Sequence, residues 1–200
     1  MKSRVPTILL MCLAACGGGA DPLFGGFKPA NSAAVILAPA TCNLPFVGST
    51  AISGIFIELA SGADACHVLT QAQQCGTGPN SSVLLTGAFS GVPGAATVDP
   101  TGPGNYSFLP NPPSGPFKTS ISSAAQVDAV CTSKPGSPVD MTGGSVVIST
   151  VTSSAVTGSV NIQFGNGQTY SGTFDVAVCP VSIDICSLFV PCFSRTCVPP

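Results

Sequence analysis

Chemistry in this 200-residue chain has to come from ten cysteines, one histidine and eight carboxylates. His67 is the single imidazole, so any histidine general base or proton shuttle must use it. Asp64 lies three residues earlier, where one helical turn would bring the two together. No nucleophile accompanies them, because serines are abundant but none sits in a Gly-x-Ser-x-Gly elbow. His67 therefore reads as a surface or helix-end residue. Paired acids for glycoside hydrolysis stand about 5 to 10 Å apart. The pairs on offer are Glu58 with Asp64, near in sequence, and Asp128 with Asp175, across strands. Both members of the second pair fall on the polar side of an alternation, the position of ordinary exposed acids. Calcium needs closely spaced acids, and no Asp-x-Asp-x-Asp loop exists. Gly17-Gly18-Gly19 lacks the Lys-Ser/Thr of a phosphate loop. The expectation is a non-catalytic protein with no catalytic residues, no metal and no cofactor.

The thiols are a different matter. Lys2 and Arg4 precede an apolar run over residues 5–15, a charged segment followed by a hydrophobic one of secretory length. Eleven residues are too few to cross a bilayer core of about 30 Å, which takes about 20 helical residues, so the run reads as an export signal. It ends in Leu13-Ala14-Ala15-Cys16. Leucine, two small residues and cysteine resemble the lipobox of bacterial lipoproteins. That resemblance implies a diacylglyceryl group on the Cys16 thiol, cleavage just before it and acylation of the new amino terminus. Cys12 competes poorly, since Met11 stands where the pattern wants a small residue. Each buried methylene contributes roughly 0.8 kcal/mol, so two or three chains hold where one would exchange. The expected partner of Cys16 is thus the lipid bilayer, and Gly17, rather than aspartate, after the cysteine implies delivery to the outer membrane. Asn80-Ser81-Ser82 and Asn105-Tyr106-Ser107 match the glycosylation sequon by letters, a coincidence in such a protein.

Loss of residues 1–15 takes Lys2 and Arg4 away, leaving four bases against eight acids, a net charge of −4. Lys28, Lys118, Lys134 and Arg195 are too few for a nucleic-acid surface or a polybasic membrane patch. Charged residues are 7% against about 25% in ordinary domains, so serine and threonine must keep the surface wet. With Cys12 in the signal and Cys16 under lipid, eight cysteines remain: Cys42, Cys66, Cys75, Cys131, Cys179, Cys186, Cys192 and Cys197. An even number in an exported chain reads as disulfides. A structural zinc site competes, but the spacing Cys186-x5-Cys192-x4-Cys197 has no close C-x2-C pair and His67 is distant in sequence.

Residues 16–32, rich in glycine, alanine and proline, form the tether. Beyond them the hydrophobic period is two, with strands expected at 33–38, 51–59, 82–90, 106–109, 120–131, 145–152, 155–164 and 169–179. Val156, Val160, Ile162 and Phe164 alternate with Thr157, Ser159, Asn161 and Gln163. Tyr170, Phe174, Val176 and Val178 alternate with Thr169, Ser171, Thr173 and Asp175. Gly165-Asn166-Gly167 supplies the residues a tight hairpin demands, and Ser153-Ser154 joins the preceding pair, so 145–179 is a three-stranded antiparallel meander. Glycine- and proline-rich breaks at 91–104, 110–116 and 134–144 read as surface loops.

A short helix is expected over 64–73, capped by Asp64 and leaving at Gly76. If both Cys66 and Cys75 were helical, they would lie about 13 Å apart along the axis, beyond the reach of about 7 Å of a disulfide. Either the helix stops before Cys75 or the two have different partners. Cys131 and Cys179 each end an expected strand, and a bridge between them is the favoured pairing. The tail over 180–200, apolar and cysteine-rich, should be pinned onto the domain 33–179, covering a sheet edge or face.

The fold class is therefore all-β, an antiparallel sandwich or barrel of about seven to eight strands with one short helix and a disulfide-rich tail. Lipobox, short cysteine-bearing helix and a meander ending Gly-Thr-Phe-Asp-Val-x-Val-Cys at 172–179 together resemble β-rich envelope lipoproteins of Gram-negative bacteria. That resemblance implies no activity. The expected role is structural or surface interaction with an unknown protein or small-molecule partner. The alternative is a calycin-like barrel carrying a small apolar ligand, with Phe164, Phe174 and Tyr170 filling or lining its interior.

Overall fold

Strict alternation of apolar with hydroxyl side chains stabilises a strand that is dry on one face and wet on the other, and the C-terminal third of the chain follows that rule closely. The computed structural model describes residues 29–44, 48–61, 65–66, 69, 76–77, 82–110, 114–126, 137–189 and 196–197. In it β8 (Ala155–Phe164) and β9 (Thr169–Val178) pair antiparallel, with Val156, Val160, Ile162, Phe164, Phe174 and Val176 buried. The wet face carries hydroxyl and amide contacts, Thr150 to Thr157 at 2.7 Å and Ser171 to Asn161 at 3.2 Å. Gly165-Asn166-Gly167 closes the hairpin: Phe164 N–H donates to Gln168 O, Gly167 N–H donates to Phe164 O, and Gly167 takes φ +82°. Only a residue tolerating the left-handed region ends such a three-residue loop without strain.

The remaining strands are β1 (Asn31–Leu44), β2 (Gly48–Ala60), β3 (Gly76–Thr77), β4 (Ser82–Pro93), β5 (Gly104–Phe108), β6 (Phe117–Gln126), β7 (Val139–Val151) and β10 (Thr196–Cys197). Eight of the ten described strands close a barrel in the order β1-β2-β4-β6-β5-β7-β8-β9, while β3 and β10 form a separate parallel pair. Of the two architectures open to the sequence, the chain adopts the barrel. Closure is parallel, through Ala33 opposite Ala177 and Ala34 opposite Val178. The registers put the starts of β1 and β4 at one end, called here the entry end, and the ends of β1 and β4 at the other, called the mouth.

The 134–144 break is corrected. Ladder pairing begins at Val139, and β7 runs straight through Gly143-Gly144. The physical reason is a bulge between Met141 and Gly143, with Gly144 at φ +103° where a Cβ would stand 2.0 Å from Asn161 O. Glycine there lets the strand continue where the sequence suggested a loop.

Two apolar clusters divide the residues. The barrel interior holds Ile55, Ile57, Tyr106, Ile148, Phe164 and Phe174, among others. A second cluster covers the outer face of β1, β2 and β4, with Ile52, Phe56 and Phe89 packed against Ile183, Ile185 and Leu188 of the tail. Dry on both sides, β2 is buried at every position from Thr50 to Ala60. The tail includes a 3-10 helix, Ile185–Phe189, and runs along β1 from Ala34, whose carbonyl accepts Cys179 N–H, to Cys42. Past Ala34, β1 has no ladder to β9, so the tail protects an edge that would otherwise be bare.

Among the described residues two disulfides hold the tail, Cys42–Cys186 and Cys66–Cys179. The expected Cys131–Cys179 bridge is overturned, because Cys179 is already spent on Cys66. Strand-end position was a poor guide, since β9 passes its cysteine to the helical residues Ala65 and Cys66 that cap the outer cluster. Of the expected helix, residues 65, 66 and 69 are helical, and the rest, with Asp64, His67 and Cys75, lies outside the described residues.

At the entry end β6 and β7 meet directly, Ser123 opposite Asp140. Burial pushes the half-buried Asp140 carboxyl above its ordinary 3.8, and a hydrogen bond with Ser123 opposes that rise. An acid whose folded pKa is raised holds its proton more tightly in the native state. Stability contributed this way is full below the unfolded value and is lost as pH rises through the folded one. Asp140→Asn should therefore flatten the fall in stability on the alkaline side of 3.8, seen as denaturation midpoints that vary less with pH than wild type. Equal pH profiles would show that Asp140 pays no desolvation cost in the fold.

Candidate functional site

Loops at a barrel end are free to vary while the strands hold them, and here the mouth is built by hydroxyls. Ser53 on β2 donates through Oγ to Asp99 O at 2.7 Å and shares a 2.9 Å hydrogen bond with Thr101 Oγ1. Gly94 N–H donates to Ser49 O, and Thr41 donates through Oγ1 to Ala96 O. Tyr106, fully buried on β5, donates its phenol to Gly102 O at 2.6 Å. These bonds fold residues 94–103 over the mouth, with Thr101 only 3% exposed. The surface loop read in the sequence is thus exposed but pinned, a cap held to the strands beneath it.

Between that cap and the ends of β4, β5 and β6 lies a half-open cleft of about 560 Å³. Its apolar walls are Val92, Val98, Pro103, Pro116 and Phe117, and Asp99, Tyr106 and Lys118 contribute polar chemistry. Phe117 lies across its ladder partner Gly91, where a Cβ would stand 2.2 Å from the ring. The ammonium of Lys118 stands 5.4 Å from the centroid of the Tyr106 ring, a cation–π arrangement. Gly104 leaves room for it, since a Cβ there would stand 3.1 Å from Nζ. Lys118 is the one cationic side chain among the described residues. Asp99 lines the same cleft, yet no ion pair joins the two. Below the cleft the barrel interior carries further buried hydroxyls, Thr86 bonded to Ser122 and Ser120 donating to Met141 Sδ.

The residues singled out by sequence go elsewhere. Cys16, Cys75, Cys131 and Cys192 lie outside the described residues, as do His67, Asp64 and Asp128. Cys197 lies on β10. Asp175 is exposed opposite Thr157 on the wet face of β9. Glu58 is 1% exposed on the covered outer face of β2, between Ala33 and Leu85, a burial its strand pattern did not announce. Glu58 and Asp175 sit on separate walls, and neither lines the cleft. Phe164 and Phe174 are buried inward, and Tyr170 packs at the margin of the interior cluster. Among the described residues no group of three or more His, Cys, Asp or Glu could hold a metal ion.

Sequence reasoning missed the mouth. Its one available signal was Lys118, a rare base beginning an alternating strand directly after a proline-rich break.

On β8 and β9 the outer face is polar and the inner face apolar, the reverse of a lipid-facing wall in a membrane-spanning barrel, while the apolar outer face of β1, β2 and β4 is covered by the tail. Among the described residues no helix is long and apolar enough to cross a membrane. No protein-family model, curated protein or solved structure matches the chain.

Proposed function

We propose that the chain is a lipid-anchored, non-catalytic module of the bacterial outer membrane, with a structural or surface-interaction role. The observation that carries this reading is Leu13-Ala14-Ala15-Cys16 directly after a short apolar run. The fold supports it in two ways. Two disulfides tie the tail to the barrel, a device at home in an oxidising compartment. The tether also joins at the entry end, where Ala30 N–H donates to Ala60 O. Residues 16–28 reach at most about 45 Å when extended. Anchored there, the barrel is free to present its mouth and the 94–103 cap away from the bilayer to a partner.

A calycin-like carrier is the second reading, favoured by the cleft at the mouth, since barrel mouths are common ligand sites. The aromatic and branched side chains inside the barrel favour the module.

Cell fractionation with intact-mass analysis tests the anchor. Wild type should sediment with membranes and carry acyl mass on a chain beginning at Cys16. Cys16→Ala should move the protein to the soluble fraction, with at least an order of magnitude less on membranes, as loss of multiple acyl chains demands. A wild-type chain that is unacylated and soluble overturns the reading.

A further inference from the structure

We infer that the mouth cleft binds a small organic monocarboxylate with an apolar body, its carboxylate on Lys118 Nζ and its body against Val92, Val98 and Pro103. The inference does not depend on acylation at Cys16.

Charge complementarity carries it. After signal removal the chain is net negative, so anions approach against the overall charge and need a local cation. The one cationic side chain among the described residues stands in the cleft wall. Its ammonium rests on the Tyr106 ring face, and no carboxylate among the described residues pairs with it. The ring is itself fixed, buried and bonded through its hydroxyl to Gly102 O, so the exposed ammonium has a rigid platform beneath it.

Asp99 narrows the class. A second anion at the rim opposes a ligand of charge −2 or more, while one ammonium suffices for a single carboxylate. Phosphates and nucleotides are poorly served by one lysine, whereas a monoanion is well served. Val92, Val98 and Pro103 in the remaining lining suit an aromatic or branched body. At about 560 Å³ the cleft falls within the range of small-molecule sites.

Titration calorimetry of the purified full chain, with detergent held constant, tests the inference using hydrocinnamate and its neutral isostere hydrocinnamide. Hydrocinnamate should bind saturably with a millimolar constant, the affinity expected of so small a ligand. The amide should bind about tenfold more weakly, the loss of one charge-assisted contact. Lys118→Gln should weaken the acid by about the same factor, weaken the amide much less and leave the chain folded, while Lys118→Arg should retain binding. Lys118 is exposed, so these substitutions leave the core intact. Equal affinity for acid and amide, binding unaffected by Lys118→Gln, or no saturable binding would each overturn the inference. Tighter binding of phenethylphosphonate than of hydrocinnamate would overturn the monoanion class.

Discussion

Replacing Cys42 and Cys66 by serine in one chain should cost the fold about 8 kcal/mol, more than the sum of the two single replacements at about 3.5 kcal/mol each. The non-additivity comes from nesting. Cys66–Cys179 closes a loop of 113 residues lying wholly inside the 144-residue loop of Cys42–Cys186. With either bridge intact, the unfolded chain already has its two halves joined. The other then closes only an effective loop of about thirty residues, or shrinks a large loop to that remainder. Once both are gone, the closure entropy that these two bridges together removed returns to the unfolded state. A domain of this size holds about 5 to 15 kcal/mol in total, so the double replacement consumes most of it. Native contacts push the same way, because Ile183, Ile185 and Leu188 leave the outer cluster when the tail is untied. Denaturant titration of the single and double variants measures the effect, and protease cutting within 181–189 reports the tail. Double-variant stability within about 2 kcal/mol of wild type would mean that the covered wall, rather than chain closure, holds the tail.

How far the sequence foretold this structure depends on which faces each segment buries. β8 and β9 were legible almost to the residue, because their odd and even positions see different solvents. In β2 that contrast vanishes: from Thr50 to Ala60 both faces are dry, so its burial does not alternate and Glu58 gave no sign of its position. The cover responsible lies more than a hundred residues away in the tail, and alternation is a local signal. Barrel closure is hidden for a similar reason. It rests on the short parallel register of β1 with β9, which no turn residue encodes. The tail itself was foreseen, since so many apolar residues near cysteines have to be pinned somewhere. Its route along β1 was not, and with the route went the disulfide pairing. At the mouth the missing information was the hydroxyls of Ser53 and Thr101, two ordinary residues whose partnership turns a glycine- and proline-rich loop into a cap.

Among single core changes, Phe89→Ala should be the most damaging, at about 3 to 5 kcal/mol. Phe89 is 1% exposed on the outer face of β4 and meets Phe56 edge to face at 5.9 Å between centroids. Its ring also roofs two glycines: a Cβ on Gly54 would stand 2.6 Å from it, and one on Gly87 would stand 2.3 Å away. Two bare stretches of adjacent strands are thus shielded by one side chain from a third position. Truncation opens a cavity whose floor is the bare backbone of Gly54 and Gly87, which has no side chain of its own to move into it, and that puts the loss at the costly end of its class. The arrangement predicts a reversal of sign. In wild type, Gly54→Val should destabilise, because the new methyls collide with the ring and with Leu37. In the Phe89→Ala background the same change should stabilise, refilling part of the vacated space and restoring β-branched packing to a central strand. The coupling between the two sites should reach about 1 to 3 kcal/mol, as for residues in direct contact. Denaturant midpoints for the four members of the cycle measure it. If Gly54→Val destabilises both backgrounds equally, the ring is not what keeps position 54 bare, and the demand for glycine there lies in the strand backbone.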